Sequence, residues 1–295
     1  MKGSPADKLA LITGGSSGIG LQLAILLAEK GCSVGILSRD LDRLHQAAAL
    51  IRAKAASAQT KISFIQADVT QFESLQSAIE PWLAENGLPD LLINCAGVSR
   101  PGNFLDVELE KFRWMMEINY FGPVHMTRIL LPRMLHRKSG HLVYFSSVAG
   151  FLGMVGYTGY APTKFAIKGF VDSLPTEIAQ SGLKLSIVFP PDTETPSLEA
   201  ERPYQPPVLV AMNENAPPMS AVAVAKSTLN GILRDRYIIT PGPDSTLFFK
   251  LVGLLGGGLL YPVLDMFLTD ARRKVARDQT RYTRQNKSDP NQGGH

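Results

Sequence analysis

Residues 13–20 read TGGSSGIG, and they close the apolar run KLALIT and open the helical pattern GLQLAILLAEKG. Glycines there allow a tight turn and let backbone N–H groups approach a pyrophosphate, while the helix N-terminus adds positive partial charge. The spacing is the TGxxxGxG variant of the dinucleotide fingerprint. A plain strand–helix turn is the alternative, because glycine-rich sequence alone is weak evidence. The residues predicted to line the phosphates are Gly14, Ser16, Ser17, Gly18, Ile19 and Gly20.

Short β-rich runs alternate with longer helical patterns along the rest of the chain. Near-continuous apolar strands separated by amphipathic helices are typical of a parallel sheet covered on both faces. The sequence therefore predicts an α/β fold with a seven-stranded parallel sheet. The seven predicted strands are KLALIT, CSVGIL, KISFIQAD, DLLINCAG, GHLVYFSS, LKLSIVFP and YIIT.

Composition and charge predict one large domain followed by two smaller segments. The chain has 295 residues, of which 45% are hydrophobic and 19% charged. We assign residues 1–245 to the main domain, 246–268 to an apolar segment and 269–295 to a basic tail. Residues 190–218 contain eight of the 20 prolines, which predicts a long loop over 190–219 that serves as a substrate lid.

The uneven charge distribution argues against a nucleic-acid partner. Residues 1–268 carry 23 Lys and Arg against 23 Asp and Glu, so the net charge of +4 lies entirely in the tail. A nucleic-acid binder usually carries a basic face on its folded domain as well. A basic tail after an apolar stretch instead favours a membrane surface, and a solvated disordered tail is the alternative. Only two cysteines are present, which indicates a reducing compartment.

The end of the second predicted strand indicates which dinucleotide is bound. Arg39 at the strand tip suits a ribose 2′-phosphate and favours NADP, and Arg43 adds a second positive charge one helical turn later. A one-residue shift would place Asp40 at the tip instead. Asp68, with Val69, ends the third strand, where its carboxylate is placed to accept a hydrogen bond from adenine; a helix N-cap is the alternative.

Tyr160 and Lys164 place a phenol and an ammonium four residues apart on one helix face. A lysine cation and the positive nicotinamide of an oxidised cofactor would lower the phenol pKa from about 10. Tyr160 is thus a candidate acid for carbonyl reduction. Ser147, at a strand end, is placed to hold the substrate oxygen, and Asn119 to hold a water that links Lys164 to solvent. No metal ligands are predicted.

Taken together and in this order, these motifs resemble the short-chain dehydrogenase/reductase family over roughly residues 7–242. The resemblance implies a Rossmann-type, doubly wound sheet with helices on both faces, NAD(P), and a tetrad of Asn119, Ser147, Tyr160 and Lys164. Ser146 competes with Ser147, and the spacing to Tyr160 favours Ser147. The resemblance also assigns Asn94, Ala96 and Gly97 to support of the sheet and the cofactor's adenosine side.

FPPDTETP, residues 189–196, follows the sixth strand, where the family contacts the nicotinamide carboxamide. By resemblance, Pro190 with Thr193 or Thr195 lies there. PPDTxTP is similar to the family's 3-ketodihydrosphingosine reductases, which implies NADPH and a long-chain keto-sphingoid substrate reduced at C3. We predict that Asp192 or Glu194 faces the substrate ammonium; exposed turn carboxylates are the alternative.

Residues 247–268 are strongly apolar, but Lys250 and Asp265 limit the uncharged core to 14 residues. A spanning helix needs about 20 residues, so we expect an interfacial or re-entrant hairpin, with the tail against anionic headgroups. A core helix or dimer contact is the alternative. No amino-terminal anchor is recognised. The expected location is the cytoplasmic side of a membrane, which is the endoplasmic reticulum in a eukaryote or the cytoplasmic membrane in a bacterium.

Two further functions remain open from the sequence. The same chemistry suits another apolar carbonyl, such as a steroid, a retinoid or a 3-oxoacyl thioester. A dinucleotide-binding scaffold without turnover is the non-enzymatic alternative, against which the complete tetrad argues. The resemblance implies a homodimer or homotetramer that pairs through the helices carrying Asn119 and Tyr160.

Overall fold

The computed structural model describes residues 4–214 and 216–287, so residues 288–295 of the predicted tail lie outside the described residues. All seven predicted strands form one parallel sheet, in the order β3-β2-β1-β4-β5-β6-β9. Its strands are β1 Leu9–Thr13, β2 Ser33–Ser38, β3 Ile62–Gln66, β4 Leu91–Asn94, β5 Gly140–Phe145, β6 Leu183–Val188 and β9 Ile238–Ile239. The direction of strand order reverses between β1 and β4, so a crevice opens there beyond the strand ends.

Helices cover both faces of the sheet, as the sequence predicts. One face packs against α1 Gly18–Ala28, α2 Leu41–Arg52 and α9 Ala221–Leu233. The other packs against α3 Phe72–Asn86, α5 Gly122–Arg137 and α6 Tyr160–Glu177. The short helix α4 Leu109–Met116 leads through a π-helical turn, Glu117–Phe121, into α5.

Strand β1 shows how the sequence builds two cores on one sheet. Leu11 packs on the α3, α5 and α6 side, whereas Ala10 and Ile12 pack on the α1, α2 and α9 side. All three side chains are fully buried, because consecutive strand side chains point to opposite faces and each face is covered.

The lid segment corrects the prediction of a long structureless loop. It contains β7 Thr193–Glu194, α7 Pro196–Glu201, a 3-10 turn Arg202–Tyr204, α8 Pro207–Asn213 and β8 Met219–Ser220, and β7 pairs with β8. Its prolines misled the sequence interpretation. Pro196 and Pro207 begin helices, where a missing N–H costs nothing and the fixed φ is suitable.

The prediction of a hairpin in residues 247–268 is wrong. Helix α10 runs without interruption from Pro243 to Lys287 and includes Pro262. Glycine and proline weaken a helix without forbidding it. Within the described parts of the chain, no helix combines the length and the apolarity that a membrane crossing requires. The predicted boundary at residues 245 and 246 falls inside the first turns of α10, where Phe249 contacts the rings of Phe151 and Phe189.

Candidate active site

The glycine loop between β1 and α1 forms a tight cradle. Gly14 has a φ of +67°, and a side chain there would place Cβ 2.8 Å from the Ala96 Cα. Gly18 has a φ of +52°, and a Cβ built there would lie 3.0 Å from the methyl carbon of Thr195. Ser17 caps α1 without a side-chain hydrogen bond. The close packing and the helix N-terminus fit a pyrophosphate.

Thr13, which the sequence analysis did not assign, fastens this loop to the neighbouring strand. Its Oγ1 accepts hydrogen bonds from the backbone N–H groups of Cys95 and Ala96, at 3.1 and 3.2 Å. The ends of β1 and β4 are thereby held together at the floor of the crevice. Asn94, also at the end of β4, is buried, and neither of its amide atoms has a hydrogen-bond partner among the described residues.

The basic residues predicted for the 2′-phosphate lie in a second cavity that adjoins the glycine loop. Arg39 Nη1 lies 3.6 Å from Asp68 Oδ2, and both side chains are partly exposed. Asp40 also lines this cavity; it caps α2 through a hydrogen bond from the Arg43 N–H, and its Oδ2 lies 3.3 Å from Arg43 Nε. The predicted cofactor-binding residues that line this cavity are Gly14, Ser16, Ser17, Arg39, Arg43, Asp68, Val69, Ala96 and Gly97.

The alternative interpretation of Asp68 as a helix N-cap is wrong. Gln71 precedes α3 and caps it without a side-chain bond. Asp68 Oδ1 instead accepts from the backbone N–H and the hydroxyl of Thr70, both at 2.9 Å. These bonds hold the carboxylate in place and leave Oδ2 toward Arg39.

Tyr160 begins α6, so Pro162 falls in the first turn, where proline is tolerated. Lys164 is buried; its Nζ donates to the carbonyl oxygen of Phe145 at 3.1 Å and lies 5.5 Å from the centre of the Tyr160 ring. Gly97 adjoins this ammonium, because a built Cβ would lie 3.4 Å from both Lys164 Nζ and Asn119 Oδ1.

Burial controls the protonation of the pair. It lowers the pKa of Lys164 to about 8. It raises the pKa of Tyr160 above its ordinary value, the negative charge of Glu201 adds to the rise, and a hydrogen bond with Ser147 opposes it. The direction for Tyr160 is opposite to the predicted lowering, because desolvation of the phenolate and the charges of Glu201 and Asp192 outweigh the effect of Ser147. Tyr160 therefore carries its proton at neutral pH.

The two adjacent serines after β5 have different partners. The hydroxyl of Ser146 is buried and donates to the backbone carbonyl of Lys164 at 2.8 Å. The hydroxyl of Ser147 accepts from the Ala149 N–H at 3.2 Å, and the side chain lines the cavity of Tyr160, where it opposes the rise of the phenol pKa. Ser147 is thus the serine placed beside the phenol, as the spacing predicts, while Ser146 fixes α6 to the sheet.

Asn119 lies in the π-helical turn and is almost fully buried. Both of its amide N–H groups are used, one by the carbonyl of Val98 at 2.8 Å and the other by Thr163 Oγ1 at 2.9 Å. The side chain therefore joins the segment after β4 to α6. Its role in holding a water stays a prediction.

The threonines after β6 make local bonds that shape the lid. Thr193 Oγ1 donates to the carbonyl of Pro191 at 2.8 Å, and Thr195 Oγ1 caps α7 by accepting from the Leu198 N–H at 3.2 Å. The carbonyl of Pro190 accepts from the Val148 N–H at 3.1 Å. These bonds hold the segment across the mouth of the cavity that contains Tyr160, which Pro190, Thr193 and Thr195 also line.

Two acidic side chains line that cavity, and only one of them was among the residues predicted to face the substrate ammonium. Asp192 lines it and Glu194 does not, although both side chains are exposed. Glu201, the last residue of α7, lines it as well. Sequence analysis missed Glu201 because its segment was interpreted as a loop, and no motif connects it to Tyr160.

Comparison with known proteins identifies the family of the chain. The family described as short chain dehydrogenase matches residues 8–205. A 3-ketodihydrosphingosine reductase of Dictyostelium discoideum is 34% identical over 285 residues, which are 91% of this chain and 84% of that protein. A 3-dehydrosphinganine reductase of Danio rerio is 32% identical over 242 residues, 82% of this chain and 73% of that protein.

A solved structure has the same architecture. The short-chain dehydrogenase from Sphingobium yanoikuyae in complex with NADPH superposes with a TM-score of 0.72 at 25% identity, and the alignment covers 86% of this chain and 95% of that one. The matched residues 8–205 contain the glycine loop, Asn119, Ser147, Tyr160 and Lys164. The chain belongs to the short-chain dehydrogenase family.

Proposed function

We propose that this enzyme uses NADPH to reduce the C3 ketone of 3-ketodihydrosphingosine to dihydrosphingosine. The observation that carries the proposal is the likeness to reductases of that name over 82% and 91% of this chain. The longer match includes the lid, whose residues line the substrate side of the cavity. The substrate is therefore a long-chain 2-amino-3-ketone.

Arg39 and Arg43 support NADPH over NADH. Both residues line the cavity beside the glycine loop, and the carboxylate of Asp40, which lines it too, is engaged by the α2 N-terminus and by Arg43. Planar guanidinium donors suit a phosphate, whereas a carboxylate at the strand tip would suit a free 2′-hydroxyl. When bound, NADPH supplies the hydride for the carbonyl carbon.

The chain's own residues handle the oxygen and the proton. Ser147 and Tyr160 line the same cavity, and a carbonyl oxygen that accepts from both hydroxyls is polarised and held in place. Tyr160, protonated at neutral pH, gives its proton to that oxygen as negative charge develops. Lys164, beneath the ring, stabilises the phenolate that remains.

An assay of NADPH oxidation tests the proposal. The purified chain is given 3-ketodihydrosphingosine, a steroid ketone and a 3-oxoacyl thioester at matched concentrations. Turnover of the first, with weak or no turnover of the others, supports it. Turnover of the steroid or thioester alone would overturn the substrate assignment and leave the reductase chemistry intact.

We also propose that α10 rests on a lipid surface on the cytoplasmic side of a membrane. Leu247, Leu251 and Leu254 share one helix face, and they are 56%, 36% and 82% exposed. Lys250 is exposed beside them. Further along α10, Arg272, Arg273 and Arg277 are exposed cations suited to anionic headgroups. A surface of this kind would deliver a single-chain lipid to the lid.

Assembly is proposed on a separate basis. A homodimer or homotetramer paired through α5 and α6 would cover two exposed rings. Phe121 ends the π-helical turn, and Phe165 lies near the start of α6. Sedimentation of wild type and of a Phe165→Glu variant tests this, and identical distributions would count against it.

A further inference from the structure

Glu201 is a carboxylate that the reductase mechanism does not use, although it lies in the catalytic cavity. It ends α7, and it lines the same cavity as Tyr160, Ser147 and Lys164. Its charge acts on Tyr160 and on Lys164. Burial raises the pKa of Glu201 to about 7, and the hydroxyls of Ser99 and Ser197 oppose the rise. An acidic side chain thus lines the cavity of the reacting phenol, and a cation bound beside it would favour its ionised form.

Within the described residues, no basic side chain is paired with the carboxylates of this cavity. Among residues 4–214 and 216–287, neither Glu201 nor Asp192 takes part in a salt bridge. Among the described residues, the Asp192 carboxylate accepts one hydrogen bond, from Asn213 Nδ2 at 3.2 Å. A carboxylate in a partly enclosed site is stabilised by a cationic partner. The cavity between the lid and Tyr160 therefore presents two carboxylates to whatever enters it.

We propose that Glu201, with Asp192 beside it, binds the ammonium group of the substrate and selects 2-amino ketones over neutral ketones. The proposal rests on the proposed function, because only that substrate class carries the cation. In a 2-amino-3-ketone the amine is on the carbon next to the carbonyl. When the carbonyl oxygen meets Ser147 and Tyr160, the ammonium must lie near them, where the lid carboxylates are.

Lys164 gives a second reason for anions at this position. Its ammonium is buried in the same cavity, and a cationic substrate that enters the site meets its repulsion. Two carboxylates on the lid side make the local field favourable to a second cation. Glu194 and Glu199 are exposed on neighbouring parts of the lid and do not line the cavity, so the selectivity is assigned to Glu201 and Asp192 alone.

The test compares two substrates in two variants. 3-Ketodihydrosphingosine carries the ammonium, and its N-acetyl derivative is a neutral ketone of similar chain length. Glu201→Gln removes the charge with little change of shape, and Glu199→Gln removes a charge on the same helix outside the cavity. We expect Glu201→Gln to raise KM for the cationic ketone at least about tenfold relative to the neutral one, and Glu199→Gln to leave both values unchanged.

The outcomes separate this proposal from the proposed function. If wild type reduces 3-ketodihydrosphingosine and Glu201→Gln keeps the same ratio of kcat/KM between the two ketones, the ammonium site is wrong and the function stands. A fall in kcat for both ketones would assign Glu201 to proton transfer and overturn the site. Wild type that reduces neither, or only the neutral ketone, overturns both. NADPH binding measured by fluorescence confirms that each variant is folded.

Discussion

The side-chain amide of Asn119 pairs with the backbone of Val98 in both directions. Its Oδ1 accepts from the Val98 N–H and its Nδ2 donates to the Val98 carbonyl, each at 2.8 Å. The second N–H reaches Thr163 on α6. One side chain thus fixes the segment after β4, which borders the glycine loop, to the helix that carries Tyr160 and Lys164.

Replacing Asn119 with alanine should destabilise the fold as well as the catalytic geometry. Both backbone groups of Val98 would lose a buried partner, which costs about 2–4 kcal/mol in the free energy of unfolding. Urea denaturation measures the loss, and kcat should fall with it. Thr163→Val removes only one of the three bonds and is expected to cost clearly less. Equal losses of unfolding free energy in the two variants would contradict the role of Asn119 in holding the Val98 backbone.

Tyr160→Phe removes the proton donor and retains the ring. We expect kcat to fall by about 10²–10⁴-fold, the usual contribution of a positioned general acid. NADPH affinity should change little, since the ring remains next to Lys164. Unchanged NADPH oxidation with the ketone would show that another group supplies the proton.

Arg39→Ala should weaken selection of the 2′-phosphate. The guanidinium has no competing role at the strand tip beyond its 3.6 Å contact with Asp68. We expect KM for NADPH to rise about tenfold or more, the worth of one charge-assisted bond to a phosphate, while KM for NADH stays within about twofold. Arg133→Ala, at an exposed pair with Glu80 far along α5, is the control. A parallel rise for both cofactors would place the 2′-phosphate elsewhere.

The features predicted correctly are those that depend only on short stretches of sequence. The glycine loop, the seven apolar strands and the Tyr160–Lys164 pair each depend on neighbouring residues, and local spacing is sufficient to identify them. The strand-end position of Ser147 follows in the same way. Spacing to Tyr160 favours Ser147 over Ser146, and the different hydroxyl partners of the two serines agree with that choice.

Features that depend on distant contacts were missed. Glu201 reaches the cavity only because the lid folds into α7 and its prolines begin helices instead of preventing them. The π-helical turn that orients Asn119 adds one residue to a helix and leaves no signal in the hydrophobic pattern. Helix α10 continues past its glycines because packing of residues such as Phe249 can outweigh low helix propensity.

His141 should make stability depend on pH in the acidic range. It is buried at the start of β5, where its Nε2 bonds with Ser186 Oγ at 2.8 Å and its Nδ1 has no partner among the described residues. Burial lowers its pKa from 6.5 to about 3. The unfolded chain therefore binds the proton more readily than the folded one, so this stabilisation is complete above about pH 6.5 and is lost as pH falls toward 3.

Urea denaturation at pH 7 and pH 4.5 measures this contribution. Wild type should lose about 2 kcal/mol more than His141→Gln between the two values, an order-of-magnitude figure from the pKa difference. The variant lacks the imidazole but keeps every carboxylate, so its loss measures what the carboxylates contribute to the pH dependence. Identical losses of unfolding free energy in wild type and variant would mean that folding does not lower the pKa of His141.

The apolar face of α10 can be tested without deleting the helix. Deletion would remove Phe249, whose ring lies 5.2 Å from that of Phe151 and 5.4 Å from that of Phe189, and would open the core. Replacing Leu247, Leu251 and Leu254 with glutamine changes only exposed positions. We expect the triple variant to float with anionic liposomes at least about tenfold less than wild type, because three leucines no longer contribute apolar burial.

Leu50→Gln, at an exposed leucine on α2, controls for a general effect of surface polarity and should float as wild type does. Liposomes of neutral lipid separate the two parts of the attraction. If the cations of α10 contribute, wild type floats more weakly with neutral lipid, whereas the triple variant is weak with both. Turnover of a dispersed short-chain substrate should stay unchanged in the triple variant, since no altered residue lines the cavity of Tyr160. Equal flotation of wild type and the triple variant would mean that this face contacts protein rather than lipid, as a dimer contact would require.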